Sequence, residues 1–491
     1  MSLALTLRTL PQIAATASVP NYNPSTLSAG IMHFGVGNFH RAHQAVYLDD
    51  LFRLGLDHDW AIIGAGVLPS DAIMREKLAE QGFLTTVVEQ ERERSQARVS
   101  APMIDMLVAD DAAEIIATLA NPQIRIVSMT ITEGGYFIDA SGKFFDKHPA
   151  IVWDGANPSL PRTVFGLIVA GLKRRREQNV TPFTIMSCDN IPHNGVVTKN
   201  AVIGTARHSD PGLADWIEQN VAFPSSMVDR ITPATSERER SHCEKTFGIR
   251  DNWPVYCEGF KQWVLEDKFT AGRPALDKVG VKFVPDVTPY EHMKIRILNG
   301  GHAAIAYPAA LLDIEYVHEA MEDPDICAFL RKLERDEIIP VIPPVPNTSL
   351  GDYYEIIERR FSNPKIADTI PRLAHDGSNR QPKFILPSTA DNLAAGRDVT
   401  GLALVSALWC RYLAGKTDSN RSINATDTNL QRIQAAALAA ANDIDEFLGL
   451  ADVFGTVGKS PVFRKKFASA FASLRAIKTR RTLQLYAAGN L

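Results

Sequence analysis

The feature that most restricts this chain's fold is a change of pattern near residue 285. Before it, the apolar runs "GIMHFGVG", "WAIIGAGV", "FLTTVVE", "IRIVSMTIT" and "FTIMSCDN" read as strands, and helical stretches separate them. Strands alternating with helices predict a parallel, doubly wound sheet, because parallel neighbours need a crossover long enough to hold a helix. After "KVGVKFVPDVTPYE" the apolar residues take helical spacing, as in "LALVSALWCRYLAG" and "LQRIQAAALAAANDIDEFLGL". The expectation is an α/β domain over 1–285 and a mostly α-helical domain over 286–491. The length of 491 residues agrees, being too great for one ordinary core. The segments "IPPVPNTSLGD" and "HDGSNRQPK" read as loops over one end of the helical domain.

Composition excludes several function classes. Lys+Arg 52 against Asp+Glu 56 gives a net charge of -4 without a long like-charged run, which argues against a nucleic-acid or membrane surface as the partner. The five cysteines, Cys188, Cys243, Cys257, Cys327 and Cys410, are scattered and form no CxxC pair. A reducing cytoplasm fits them better than a disulfide framework or structural zinc. The opening "MSLALTLRTLPQIAATAS" lacks a cationic start, is broken by Arg8 and Pro11, and is expected to be an ordinary leader into the first domain. No segment approaches the roughly 20 apolar residues that span a bilayer.

The first chemical motif is "HFGVGNFHRAHQ", residues 33–44. Gly35 and Gly37 follow an apolar strand and precede a helix, where a dinucleotide's pyrophosphate meets a tight turn in a Rossmann-like domain. His40 stands where the usual third glycine would, so a Gly-rich turn without ligand competes. His40 and His43, three apart, are read as packing or surface residues rather than metal ligands. After the second strand, Asp71 is the acid placed to bind the adenosine ribose and favour NAD. Ser70 or Asp71 as a plain helix cap is the competing reading, and Arg75 and Lys77 keep NADP possible. Thr132, Glu133 and Gly134-Gly135 end one strand, and Asp189, Asn190 and Asn194 end another, at the sheet edge that binds ligands. Asx-turn chemistry is the alternative for each.

The second motif is "KIRILNGGH", Lys294 to His302, inside a helix that Thr288-Pro289 should start. At 3.6 residues per turn, Asn299 lies about 140° and His302 about 80° around the axis from Lys294, while Arg296 points nearly opposite. Gly300 and Gly301 weaken a helix by roughly 0.5 to 1 kcal/mol each, which close approach of a ligand or another backbone would explain. A Lys294–Glu291 pair with a satisfied core His302 is the bland alternative.

Taken together, "GVGNFHRAHQ", "TITEGGY", "SCDNIPHNG", "FPSSMVDRITP" and "VTPYEHMKIRILNGGH" resemble, over nearly the whole chain, the polyol-specific long-chain dehydrogenases, nearest their mannitol-oxidising branch. The resemblance implies a zinc-independent oxidoreductase that converts D-mannitol to D-fructose, or acts on D-arabinitol or D-sorbitol, with NAD and no metal. It implies that Lys294 is the general acid/base, that Asn190 and Asn299 bind the reacting oxygen, that His302 orients substrate and that Glu291 passes the proton to solvent. Gly35, Gly37, Asn38, Phe39, Arg41, Asp71, Thr132 and Glu133 would hold the cofactor. Asp229, Arg372 and Arg380 would bind substrate, with structural ion pairs competing at Asp229 and Arg372. Arg380 replaces an expected lysine and His292 an expected acid, which leaves the exact substrate open. A monomer acting on a small polyol or ketose is implied. A hexuronate reductase of the same superfamily is the alternative, and a non-catalytic nucleotide sensor is a third reading that the intact Lys294, Asn299 and His302 argue against.

Overall fold

A computed structural model describes residues 2–139 and 142–491, and the chain divides into two compact units, Met1–Thr288 and Pro289–Leu491. The first unit contains β1 (Ala29–Phe34), β2 (Ala61–Ala65), β3 (Thr85–Gln90), β4 (Ser95–Ser100), β5 (Met103–Leu107), β6 (Ile126–Met129), β7 (Thr184–Ser187), β8 (Ser226–Asp229), β9 (Val255–Glu258), β10 (Gln262–Glu266) and β11 (Lys282–Val284). Five of these form an all-parallel sheet in the order β5-β2-β1-β6-β7. Phe34 at the end of β1 pairs with Ala65 of β2 and Met129 of β6, so the strand order reverses at β1.

Alternation along each strand feeds two cores. Met32, Phe34, Val127, Met129 and Ile185 join Leu119, Phe165 and Ile168 on one face. Ile31, Ile62, Ile126 and Met186 join Tyr47, Leu51 and Trp263 on the other. Helices Ala112–Ala120 and Val164–Glu177 cover the first face and Gln44–Arg53 the second. The parallel Rossmann-like sheet expected from the sequence is present, with one change of membership. "FLTTVVE" does form β3, but in a separate sheet β9-β3-β4. The fifth parallel strand is β5, "MIDML", whose apolar run is short and broken by Asp105.

The second unit is helical, as expected. Helix Thr400–Leu413 packs against Gly300–Leu311 and Pro461–Ala487. Three wide π-turns interrupt the α-geometry: Lys294–Asn299, Glu334–Ile338 and Gln381–Ile385. The first packs against the other two. The segment "HDGSNRQPK" is therefore not a loop: helix Gly377–Arg380 runs directly into the third π-turn, where Pro382 has no N–H to continue an α-ladder. No helix among the described residues is long and apolar enough to cross a membrane.

Candidate functional site

In the first unit the polar residues gather at the carboxyl ends of β1, β6 and β7. Gly35 has φ +88°, and a Cβ there would lie 2.1 Å from the Thr130 carbonyl oxygen, so only glycine fits. Three donors fix its own carbonyl: Thr130 Oγ1 at 2.7 Å, Gly37 N at 2.8 Å and His33 Nε2 at 3.2 Å. Burial holds the His33 imidazolium pKa down at about 3, so the ring is neutral. Because a carbonyl only accepts, Nε2 carries the proton, and Nδ1 lies 2.8 Å from Ser128 Oγ. Gly37 is different: its nearest neighbour to an added Cβ is 4.0 Å away, and nothing lies within 4 Å of one at Gly134. Side chains at these two positions would fill open space, as befits a cradle for a dinucleotide.

Asn38 and Arg41 turn inward. Asn38 Nδ2 donates to Pro233 O at 3.0 Å and Thr235 Oγ1 at 3.1 Å, and its Oδ1 accepts from Arg41 at 2.9 Å. Arg41 is fully buried and also donates to Trp253 O. Burial brings its pKa down to about 10. What the loop offers a ligand at these positions is therefore backbone. Phe39 stacks on His43 with ring centroids 4.8 Å apart. His40 and His43 do not share one helix face, because His43 breaks the helix between Asn38–Ala42 and Gln44–Arg53. Both are buried packing residues, His40 stacked on His33 at 3.5 Å and His43 donating from Nε2 to Gln262 O at 2.8 Å.

Asp71 begins helix Asp71–Ala79, and neither it nor Ser70 caps that helix. Its Oδ2 instead accepts from Val67 N at 2.8 Å and Leu68 N at 3.0 Å, which shapes the loop after β2. Oδ1 takes no hydrogen bond among the described residues and remains able to accept a ribose hydroxyl. Arg75 is turned away, donating to Met106 O at 2.6 Å.

At the ends of β6 and β7, Asp189 acts as a clamp. Its carboxylate accepts from Ile131 N and Thr132 N, each at 2.9 Å, and from Tyr136 Oη at 2.7 Å. Burial pushes its pKa up, against the three donors that lower it. The clamp holds exposed Thr132 at φ +63°, a conformation costing on the order of 1–3 kcal/mol in a residue with a side chain. Glu133 and Asn190 are exposed beside it. Asn194 bridges to β8 through Ser226 O at 2.8 Å and Ser226 N at 2.9 Å. Asp229 ends β8 and is buried. The neighbouring Arg230 was not read from the sequence, although it sits inside "MVDR". It is buried and ties Ala42 O (2.6 Å), Glu89 (2.6 Å) and Glu258 O (3.0 Å) together, so it supports the glycine motif from behind.

In the second unit, Lys294 and Glu291 are 6% and 5% exposed. The helix is not regular here. Lys294–Asn299 is a π-turn, with Gly300 N donating to Ile295 O. The expected 140° separation of Lys294 and Asn299 assumes 3.6 residues per turn and therefore does not hold: the wider i→i+5 turn reduces the angle between residues five apart. Arg296 points elsewhere, paired with Asp391 and donating to Val341 O at 3.1 Å. The glycine pair admits two neighbours. An added Cβ at Gly300 would lie 3.2 Å from Phe384 O, on the third π-turn, and at Gly301 3.2 Å from Glu334 Oε1, on the second.

His302 stacks on Phe361, centroids 4.1 Å apart, and its buried Nε2 has no hydrogen-bond partner among the described residues. Burial first, then the charges of Arg372, Arg360 and Arg380, hold its pKa well below the usual value, so the ring is neutral. Arg372 is exposed and paired with Asp368, so the structural ion pair anticipated for it is present. Arg380 is half-buried and donates to Leu373 O at 2.7 Å. Asp376, which precedes this helix, is held by Thr428 Oγ1 at 2.6 Å. Among the described residues no group of three or more His, Cys, Asp or Glu side chains could hold a metal ion.

Comparison with known proteins follows this division. The family described as mannitol dehydrogenase Rossmann domain matches residues 29–278, and the mannitol dehydrogenase C-terminal domain matches 286–475. The chain is 56% identical over 456 residues to a mannitol 2-dehydrogenase of Cereibacter sphaeroides, covering 93% of this chain and 95% of that one. It is 40% identical over 497 residues to the Neosartorya fischeri mannitol 2-dehydrogenase, covering 99% of both. Among solved structures, Pseudomonas fluorescens mannitol 2-dehydrogenase in a ternary complex with NAD and D-mannitol matches with TM-score 0.87 and 43% identity over 99% of each chain. A D-sorbitol dehydrogenase in substrate-free form matches with TM-score 0.92 and 34% identity, covering 98% of this chain and 100% of that one.

Proposed function

This chain belongs to the mannitol dehydrogenase family, and from that premise we propose that it is an NAD-dependent polyol dehydrogenase, oxidising D-mannitol to D-fructose and accepting related polyols such as D-arabinitol or D-sorbitol. When bound, NAD would supply the acceptor for the hydride that leaves the carbinol carbon. Gly37 and Gly134 would leave it room, Gly35 shapes the turn, and Asp71 Oδ1 would accept from a ribose hydroxyl. Phe39, Thr132 and Glu133, with the backbone at Asn38 and Arg41, complete the nucleotide side. Residues 1–285 form the nucleotide domain and 286–491 the substrate domain.

Lys294 Nζ takes the alcohol proton as the C–H electron pair leaves with the hydride, so that C=O forms with charges balanced. Its near-complete burial on a π-turn, with Asn299 five residues on, is the observation that carries this reading. Burial favours an uncharged amine, the form a general base requires. Asn190 and Asn299 donate to the reacting oxygen, where preorganised donors act most strongly on developing charge. Glu291, one turn before Lys294 and equally buried, passes the proton on to solvent. His302, held neutral, can donate from one ring nitrogen and accept at the other, which suits a hydroxyl. Asp229, Arg372 and Arg380 bind the remaining hydroxyls. The relatives named for mannitol and sorbitol favour a polyol over a hexuronate. A monomeric cytoplasmic enzyme is the setting proposed.

The test is steady-state NAD+ reduction with D-mannitol, D-arabinitol, D-sorbitol and a hexonate in the presence of a strong chelator. Chelator-resistant turnover of a polyol is expected. Turnover of the hexonate alone, or complete loss on chelation, would contradict the proposal.

A further inference from the structure

We infer that Glu334 is a positioning residue for the polyol site: its carboxyl closes against the side-chain space that Gly301 leaves empty and so sets the seat of His302. This rests on the reading of His302 as the residue that orients the polyol.

Glu334 opens the second π-turn, which packs against the π-turn carrying Lys294 and Asn299. In sequence it belongs to the charged stretch "RKLERDE", which reads as a solvated helix face. In the structure its side chain is wholly buried, and neither carboxyl oxygen has a hydrogen-bond partner among the described residues. Two groups meet at the missing side chain of Gly301. Glu334 Oε1 lies 3.2 Å and the Phe361 ring edge 3.3 Å from where a Cβ would stand. The same Phe361 ring is the surface on which His302 stacks, nearly parallel at 15°. The carboxyl thus packs against the turn that ends in His302 and beside the ring that fixes the imidazole's plane.

An ionised carboxylate without a partner is too costly to bury, so Glu334 holds its proton, and burial keeps its pKa well above the usual carboxylate range. Tyr354 is a titratable group that faces it, and burial keeps the Tyr354 hydroxyl protonated as well. A neutral acid of this shape is mimicked by glutamine. Removing it leaves a hole beside Gly301 that an alanine methyl at 301 would partly refill.

The experiment compares Glu334→Gln, Glu334→Ala, Gly301→Ala and the double variant Glu334→Ala/Gly301→Ala for polyol KM, kcat and NADH affinity. The Gln variant should keep KM within about twofold, and Glu334→Ala should raise polyol KM about tenfold with NADH affinity unchanged. Adding Gly301→Ala to Glu334→Ala should recover most of that loss, although Gly301→Ala alone weakens polyol binding. A folded Glu334→Ala enzyme with wild-type KM, or a double variant no better than Glu334→Ala, overturns the inference. If Glu334→Ala does not fold, the Gln variant decides. Its melting temperature should exceed that of wild type by more at about pH 9 than at about pH 5, because the unfolded Glu334 gives up its proton far more readily than the folded one. An equal offset at both pH values, or a tenfold rise in KM, overturns the inference. Lys294→Ala run alongside separates the two claims: retained turnover there defeats the functional reading, whereas an inert Glu334 beside an inactive Lys294→Ala defeats only this one.

Discussion

Two glycine pairs, 35/37 and 300/301, use the same residue for opposite ends. At the nucleotide turn, Gly35 is demanded by its positive φ and the Thr130 carbonyl, while Gly37 faces open space. In the helical unit Gly300 has an ordinary helical φ of -62°, and both glycines are small because other parts of the protein press on them. A glycine beside a functional residue can therefore make room for a ligand or for the scaffold, and only the neighbouring atoms distinguish the two. The pair at 300/301 does not hollow out a substrate space. It lets two π-turns close on the helix that carries Lys294, Asn299 and His302.

Substitutions sharpen this contrast. Gly35→Ala has the largest expected effect on folding, roughly 4 kcal/mol or more, because the clash is with backbone that cannot move without breaking the β1–β6 pairing. Denaturant unfolding measures it, and a loss near 1 kcal/mol would show that the turn can relax. Gly37→Val should leave stability nearly unchanged but weaken NADH binding by about tenfold or more, the size of effect that loss of backbone approach to a ligand gives. Unchanged NADH affinity would mean that the open space is not the cofactor's. Gly301→Ala should destabilise by roughly 1–3 kcal/mol of overpacking, partly offset by the gain in helix propensity. A net stabilisation would show that Glu334 and Phe361 are free to shift. Asp71→Ala should weaken NAD(H) more than NADP(H), since the loop cost of freeing Val67 and Leu68 is common to both cofactors. Equal losses would reduce Asp71 to a loop fastener.

Much of the nucleotide unit was readable from the chain, because β-runs between helices leave few arrangements. The partner of "FLTTVVE" was not, since a strand's sheet is chosen by distant segments, here β4 and β9. Lys294, Asn299 and His302 stood out as polar residues in an apolar helix, but their geometry depended on a π-turn, for which i→i+5 bonding leaves no residue-type signature. Asp189 was visible as a turn residue without its role as a clamp on Thr132. Glu334 was hidden because a glutamate among Lys, Arg and Asp reads as surface. The same unit hides a second buried acid, Glu337, which accepts from Gly401 N at 2.7 Å, Leu402 N at 2.9 Å and Tyr486 Oη at 2.8 Å. Burial lifts its pKa to about 7.

Glu337 supplies an effect that only a change of pH reveals. Between its unfolded value, about 4.3, and about 7, the folded chain holds a proton that the unfolded chain has released, so this residue's contribution to stability declines as pH rises through that window. Glu337→Gln cannot titrate and should flatten that part of the curve of melting temperature against pH. An unchanged slope would show that Glu337 ionises normally in the fold.

The most direct test of the proposed chemistry is Lys294→Ala, assayed for NAD+ reduction by the best polyol and, in the same preparation, for NADH binding. Turnover is expected to fall by on the order of 10²–10⁴, the usual contribution of a general base, while NADH affinity stays within about twofold. Near-wild-type turnover with normal NADH binding would contradict the assignment of Lys294 as the base.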